Sequence, residues 1–171
     1  AKDAISSKGA RLTTHLTLPS RNLVYMPRSK HLGISQRLED EVERERLMEL
    51  LQSVLEQEQW DGRGGFIIRT AAEGASAEEM VEDIRYLKRL WTKVEERIQR
   101  KEGIKAVYRE VPLYMRTVRD LIRPEVEKIR VDNKATFDEI CKFLEDYVPE
   151  LHTQVEPSSG ERPLFDPPGV E

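Results

Sequence analysis

The sequence predicts an α+β fold of small mixed sheets with helices packed on them. Three observations carry this expectation. Short apolar runs at residues 11–18, 23–26 and 65–70 are bounded by Pro, Gly, Ser and Asn, as strands are. Apolar residues recur at three- and four-residue steps over 38–57, 77–98 and 137–148, as on one face of a helix. Strands and helices are mixed without the strict βαβ alternation that a parallel α/β fold shows. No internal repeat is visible.

Residues 1–10 are small, polar and basic and suit a linker or the tail of a preceding domain. Residues 11–18 follow as a strand, 19–22 (Pro-Ser-Arg-Asn) as a turn, and 23–26 as a second strand closed by Pro27, together a hairpin. A helix is predicted over about 38–57. Its first turns carry Glu39, Asp40, Glu41 and Glu43 at the positive end of the dipole, and Leu47, Leu50, Leu51, Val54 and Leu55 form its apolar stripe. Residues 65–70 are an apolar strand that finishes on two polar residues, Arg69 and Thr70.

The clearest element comes next. Ser76 and Glu79 make a capping box. Ala77, Met80, Ile84, Leu87, Trp91, Val94 and Ile98 then trace a helix that Gly103 ends, docked through Leu87 and Trp91. A strand is predicted over 104–108, a short helix from Pro112 to about Ile122, and a strand over 126–131. Thr136 and Glu139 offer a second capping box. Phe137, Ile140, Cys141, Leu144 and Val148 line the last helix. From Pro149 the chain reads as an extended tail.

Composition narrows the function. Hydrophobic residues make up 38 % and charged residues 35 %, with both signs interspersed, which suits long solvated helix faces rather than a disordered polyanion. A formal net charge of −4 speaks against sequence-independent binding along a nucleic-acid backbone, yet a pocket for one phosphate needs only one or two cations. The single cysteine, Cys141, excludes a disulfide framework and reads as a buried, reduced thiol in a cytoplasmic protein. No apolar run approaches membrane-spanning length, and residues 1–8 hold no signal-peptide core. The chain opens on Ala1, which suggests a processed protein or a part of a longer one.

Catalytic patterns are sparse. His15, His31 and His152 lie far apart and form neither HxxxH nor HExxH, so neither a catalytic residue nor a metal ligand is assigned. Asp132-Asn133 after a strand reads as turn and helix-cap chemistry, and the acidic run from Glu39 to Glu45 as a solvated helix face. The stronger local signal is Arg69-Thr70, a fork of donors followed by a hydroxyl at the end of an apolar strand. That combination can hold phosphate oxygens. On physical grounds alone, an ion pair with a surface carboxylate is the commoner use of such an arginine.

Many blocks in order carry a resemblance: KGARLTT at 8–14, LPSR at 18–21, LV at 23–24, MP at 26–27, GIS at 33–35, Arg37, GFIIRTAAEG at 65–74, YLKRLWTKV at 86–94, EKIRVD at 127–132 and PLFD at 163–166. Together they resemble the ribonuclease E/G family, in its ribonuclease G-type branch, over nearly the whole chain. The resemblance implies that residues 1–9 are a linker or the tail of an OB-fold RNA-binding domain. It implies that 10–115 are a 5′-sensor region, and 116–171 part of an RNase H-like subdomain with an extended tail. Arg69 and Thr70 match the pair that holds an RNA 5′-monophosphate. Val24 and Ser20 match positions contributing through their backbone, and Ser20 departs from the Gly of ribonuclease E-type members. Lys8 and Arg37 are further RNA-contact candidates.

The family's catalytic carboxylates, its Mg²⁺ site and its inter-protomer zinc lie in parts this chain does not match. The resemblance therefore implies no cofactor here and an inactive piece of an Mg²⁺-dependent endoribonuclease. The implied partner is single-stranded RNA with a 5′-monophosphate, and the full-length family protein is expected to be a homo-oligomer. A catalytically silent interaction module built on the helix from Ala77, or a self-sufficient nuclease, are the other readings, the last disfavoured by the missing carboxylate cluster.

Overall fold

A computed structural model describes residues 15–100, 108, 110–121 and 126–158. The fold is α+β, as the sequence predicts. It divides into two compact units with the boundary between Lys88 and Arg89.

The first unit is built on a four-stranded sheet: β1 (Leu18–Pro19), β2 (Leu23–Met26), β3 (Leu32–Ile34) and β4 (Gly65–Ile68), in the order β1-β2-β4-β3. β1 and β2 form the predicted hairpin, and β2 pairs antiparallel with β4. Pro19, expected in the turn, is instead the last residue of β1. An edge strand accepts a proline because its missing N–H faces no partner. Residues 15–17 are not strand, and 11–14 lie outside the described residues. β3 was not foreseen. It is three residues long, includes Gly33, and exists by pairing parallel to β4.

Strand parity sorts the side chains. Leu18, Leu23, Tyr25, Phe66 and Ile68 point inward and are buried, whereas Pro19, Val24, Met26 and Ile67 are half-exposed on the outer face. The inner face meets helix α1 (Glu41–Gln57), which starts at the N-cap Asp40 and buries Leu47, Leu51 and Val54; Leu50 and Leu55 are only partly covered. Tyr25, Trp60 and Phe66 close one end of the sheet with ring centroids 5.0–5.2 Å apart.

Helix α2 (Ala77–Gln99) carries its predicted capping box. The Ser76 N–H donates to the Glu79 carboxylate at 3.0 Å, and the Glu79 N–H donates to Ser76 Oγ at 3.2 Å. Met80, Ile84, Leu87 and Val94 of the predicted stripe are buried, as are Val81, Tyr86 and Leu90 beside it. Of the two predicted docking residues Leu87 is fully buried and Trp91 half-buried, while Ile98 is half in solvent. The stop at Gly103 and the strand over 104–108 fall at or beyond the edge of the described residues.

In the second unit, α3 (Leu113–Leu121) and α4 (Lys134–Tyr147) are in contact, and Val118, Ile140, Phe143 and Leu144 are their buried residues. The cap of α4 is Asn133, whose side chain accepts the Thr136 N–H at 3.0 Å; the predicted Thr136–Glu139 box lies inside the helix. Asn133 is thus a helix cap, as read. Cys141 is a free, half-buried thiol. Burial, followed by Glu145 and Asp138, raises its pKa. The predicted tail instead folds through a 3₁₀ helix (Pro149–Gln154) into β6 (Val155–Pro157), parallel to β5 (Ile129–Val131). Among the described residues no helix is long and apolar enough to cross a membrane.

Candidate functional site

β3 and β4 are parallel, so both leave the sheet at the same end, where the β1–β2 turn also lies. That end gathers Ser20, Arg21 and Asn22 from the turn, Ser35 to Arg37 after β3, and Arg69 with Thr70 after β4. The Ser35 N–H donates to Ile68 O at 2.8 Å and fixes the exit of β3 beside Arg69.

Arg69 faces the turn. Its Nη1 donates to Ser20 O and, at 3.0 Å, to Arg21 O, while its backbone N–H donates to Asn22 O at 2.8 Å. Three successive carbonyls thus converge on one arginine. A guanidinium offers five N–H donors, and Nη2 and Nε take no partner among the described residues. The surface carboxylate that an isolated arginine would be expected to seek is not what holds this one. Glu79 pairs instead with Arg21, at 3.1 Å.

The turn is fixed from both sides. Ser20 is fully buried. Its hydroxyl accepts the Leu23 N–H and donates to Leu23 O, both at 3.2 Å, and its own N–H also donates to Leu23 O, at 2.8 Å. The Asn22 N–H donates to the buried carboxylate of Asp83 on α2 at 2.6 Å. Val24 lies two residues beyond the hydrogen-bonded Asn22–Arg69 pair, so ladder alternation turns its N–H and C=O to Ile67, its partner on β4. What Ser20 and Val24 have free is not the backbone N–H. Ser20 offers the turn it closes, and Val24 a half-exposed side chain on the outer face.

Thr70 is exposed and opens a 3₁₀ turn (Thr70–Ala72) that leads to Gly74 at φ +71°, a left-handed conformation glycine adopts readily. This loop is anchored by α1. Glu43 accepts the Gly74 N–H at 2.8 Å and both Nε and Nη2 of Arg46 at 2.7 Å, and Arg46 Nη1 donates to Ala75 O at 3.1 Å. The Arg46 hydrogen bonds, then that of Gly74, lower the Glu43 pKa to about 2. Glu43 therefore departs from the expectation of a merely solvated acidic face. The acidic run hid it, because only its spacing to Arg46 sets it apart.

Arg37 is exposed, its N–H donating to Ser35 Oγ at 3.4 Å, and follows β3 three residues after the strand ends. Lys8 lies outside the described residues. Among the described residues no cluster of three or more His, Cys, Asp or Glu side chains is placed to hold an ion.

The profile of the Ribonuclease E/G family matches residues 17–171. Ribonuclease G of Salmonella typhimurium is 46 % identical over 170 residues, covering 99 % of this chain and 34 % of that protein. Ribonuclease G of Haemophilus influenzae is 48 % identical over 170 residues, again 99 % and 34 %. Ribonuclease E of a Nostoc species is 29 % identical over 146 residues, 85 % of this chain and 20 % of that protein. The chain thus spans about a third of the length of its ribonuclease G relatives.

Proposed function

Because the chain belongs to the ribonuclease E/G family, we propose that it binds the 5′-monophosphate end of single-stranded RNA for an endoribonuclease of the ribonuclease G type, acting in RNA processing and decay. The observation that carries this reading is Arg69. It is held by carbonyls through Nη1, keeps Nη2 and Nε unspent, and stands next to the exposed hydroxyl of Thr70. A guanidinium already oriented by the fold loses little freedom when it takes up a phosphate.

A terminal monophosphate is compact and carries nearly two negative charges near neutral pH. The fork of Arg69 and the hydroxyl of Thr70 supply donors for its oxygens, and Arg37 adds a cation at the same sheet end. Ser20 shapes the turn that aims Arg69. Val24 and Ile67 offer the first base an apolar surface on the outer face. A 5′-hydroxyl brings no phosphate oxygens and no charge to these donors, and a longer triphosphate would have to fit against a turn packed on both sides, so exclusion adds to attraction. The cleavage step, with its Mg²⁺, and a homo-oligomeric assembly belong in this reading to the full-length family protein.

The test is Arg69→Lys in the protein, with 5′-monophosphorylated and 5′-hydroxyl oligonucleotides measured side by side at one salt concentration. Lysine keeps the charge and loses the fork. A charge-assisted hydrogen bond is worth about 1.5–3 kcal/mol, so binding of the monophosphorylated RNA should weaken roughly tenfold or more, with little change for the hydroxyl form. Equal losses on both would mean that Arg69 serves the fold or general RNA binding.

A further inference from the structure

The outer face of the first sheet carries a residue that the phosphate site does not use. Gly33 pairs with Ile67, so the Cβ it lacks would project from the outer face. That space is filled by the imidazole of His31. A Cβ on Gly33 would stand 2.8 Å from His31 Nε2, 3.2 Å from Cδ2 and 3.8 Å from Cε1. The backbone of His31 is held firmly, its N–H donating to Ser29 Oγ at 3.2 Å and its carbonyl accepting the Phe66 N–H at 3.0 Å. The ring takes no polar partner among the described residues and is exposed. Beside it the row continues through Ile67 and Val24, both half-exposed.

We propose that His31 is a nucleobase-contacting residue, its imidazole carried over Gly33 to stack with the first base of the RNA whose 5′-phosphate Arg69 and Thr70 hold. This rests on the 5′-end reading above. The placement fits the chemistry. Ile67 is two residues before Arg69, about 7 Å along the strand, and Gly33 is one strand spacing, about 5 Å, to the side. A phosphate site thus adjoins a surface of one planar ring and two aliphatic side chains. A terminal nucleotide has those two parts, a compact dianion and a flat, apolar-faced base. Histidine belongs to the side chains on which unpaired RNA bases stack, and such contacts are tolerant of base identity. Glycine at 33 follows from the same requirement, since any Cβ would push the ring away.

The test uses three oligonucleotides of otherwise identical sequence: 5′-monophosphorylated, 5′-monophosphorylated with an abasic first nucleotide, and 5′-hydroxyl. In the wild type, removing the first base should weaken binding. His31→Ala should weaken binding of the base-bearing monophosphorylated RNA by roughly five- to hundredfold and leave the abasic one unchanged. His31→Phe should retain most of the wild-type affinity, and Gly33→Ala, which displaces the ring without deleting it, should fall between. Unchanged melting temperatures for the His31 variants would show that the fold is intact. The proposal is overturned if the wild type binds base-bearing and abasic RNA alike, if His31→Ala binds as the wild type does, or if it loses equally on both. Failure of the 5′-end reading shows elsewhere, as equal wild-type binding of the monophosphorylated and hydroxyl forms.

Discussion

The carboxylate of Glu43, on α1, accepts the N–H of Gly74 at 2.8 Å across 31 positions of sequence. This contact ties the loop after Thr70 to a helix rather than leaving it to solvent. Arg46 completes the clamp by holding the same carboxylate and Ala75 O. Whatever Thr70 binds, it binds from a loop whose far end is fixed, and whose near end leaves a central strand of the sheet.

The clamp should be acid-sensitive. The folded-state pKa of Glu43 is lowered from 4.5 to about 2. The sign follows: the unfolded chain binds the proton first, so the clamp's contribution is fully present above pH 4.5 and is lost as pH falls toward 2. Glu43→Ala should therefore lower the melting temperature at neutral pH, with the gap to wild type narrowing between pH 4.5 and 2. Parallel melting curves with a pH-independent gap would show that the charge of Glu43 contributes nothing.

Part of this arrangement is legible in the sequence and part is not. Arg69 at the end of a strand and the Ser76–Glu79 box are local patterns, so periodicity and spacing reveal them. β3 is not local. Residues 32–34 are too few and too weak in β propensity to announce a strand, and pairing with β4 makes them one. β6 hides in a stretch rich in Pro and acidic residues for the same reason, its partner β5 being 26 positions away. The Glu43 clamp and the Asp83–Asn22 bond join residues that only the folded chain brings together. Spacing also does not give the depth of burial: Leu87 and Trp91 both fit the stripe, yet Leu87 is fully buried and Trp91 only half-buried.

Asp83 should matter to the turn that meets Arg69. It is buried, and the Asn22 N–H it accepts at 2.6 Å is buried with it. Asp83→Ala leaves that donor without a partner, which costs about 1–3 kcal/mol. Asp83→Asn keeps an acceptor and should recover part of the loss. Faster hydrogen exchange at Asn22 in the alanine variant is the local readout, and unchanged exchange together with unchanged stability would refute the role.

Leu87 and Trp91 should respond unequally. Leu87 is fully buried on α2, so Leu87→Ala should destabilise by about 2–5 kcal/mol through lost transfer energy and the cavity left behind. Trp91 is half-exposed, so Trp91→Ala should stay below the roughly 3–5 kcal/mol that a fully buried indole would cost. Chemical denaturation of both variants checks the order, and a larger loss for Trp91 would reverse it.

The start of α4 separates two caps that the sequence offers. Asn133 has extended backbone angles and accepts the Thr136 N–H at 3.0 Å, the geometry of an N-cap that satisfies one of the helix's orphan donors. Thr136 already lies inside α4, where a hydroxyl has no cap to make. Asn133→Ala should therefore destabilise by about 0.5–2 kcal/mol, while Asn133→Asp, which keeps the acceptor and adds a negative charge at the positive end of the helix, should be neutral or slightly stabilising. Thr136→Ala should change little, because alanine is the better helix former. The measurement is urea denaturation of the three variants followed by far-ultraviolet circular dichroism. A Thr136→Ala loss as large as that of Asn133→Ala would move the cap back to the position that the Thr136–Glu139 spacing suggests.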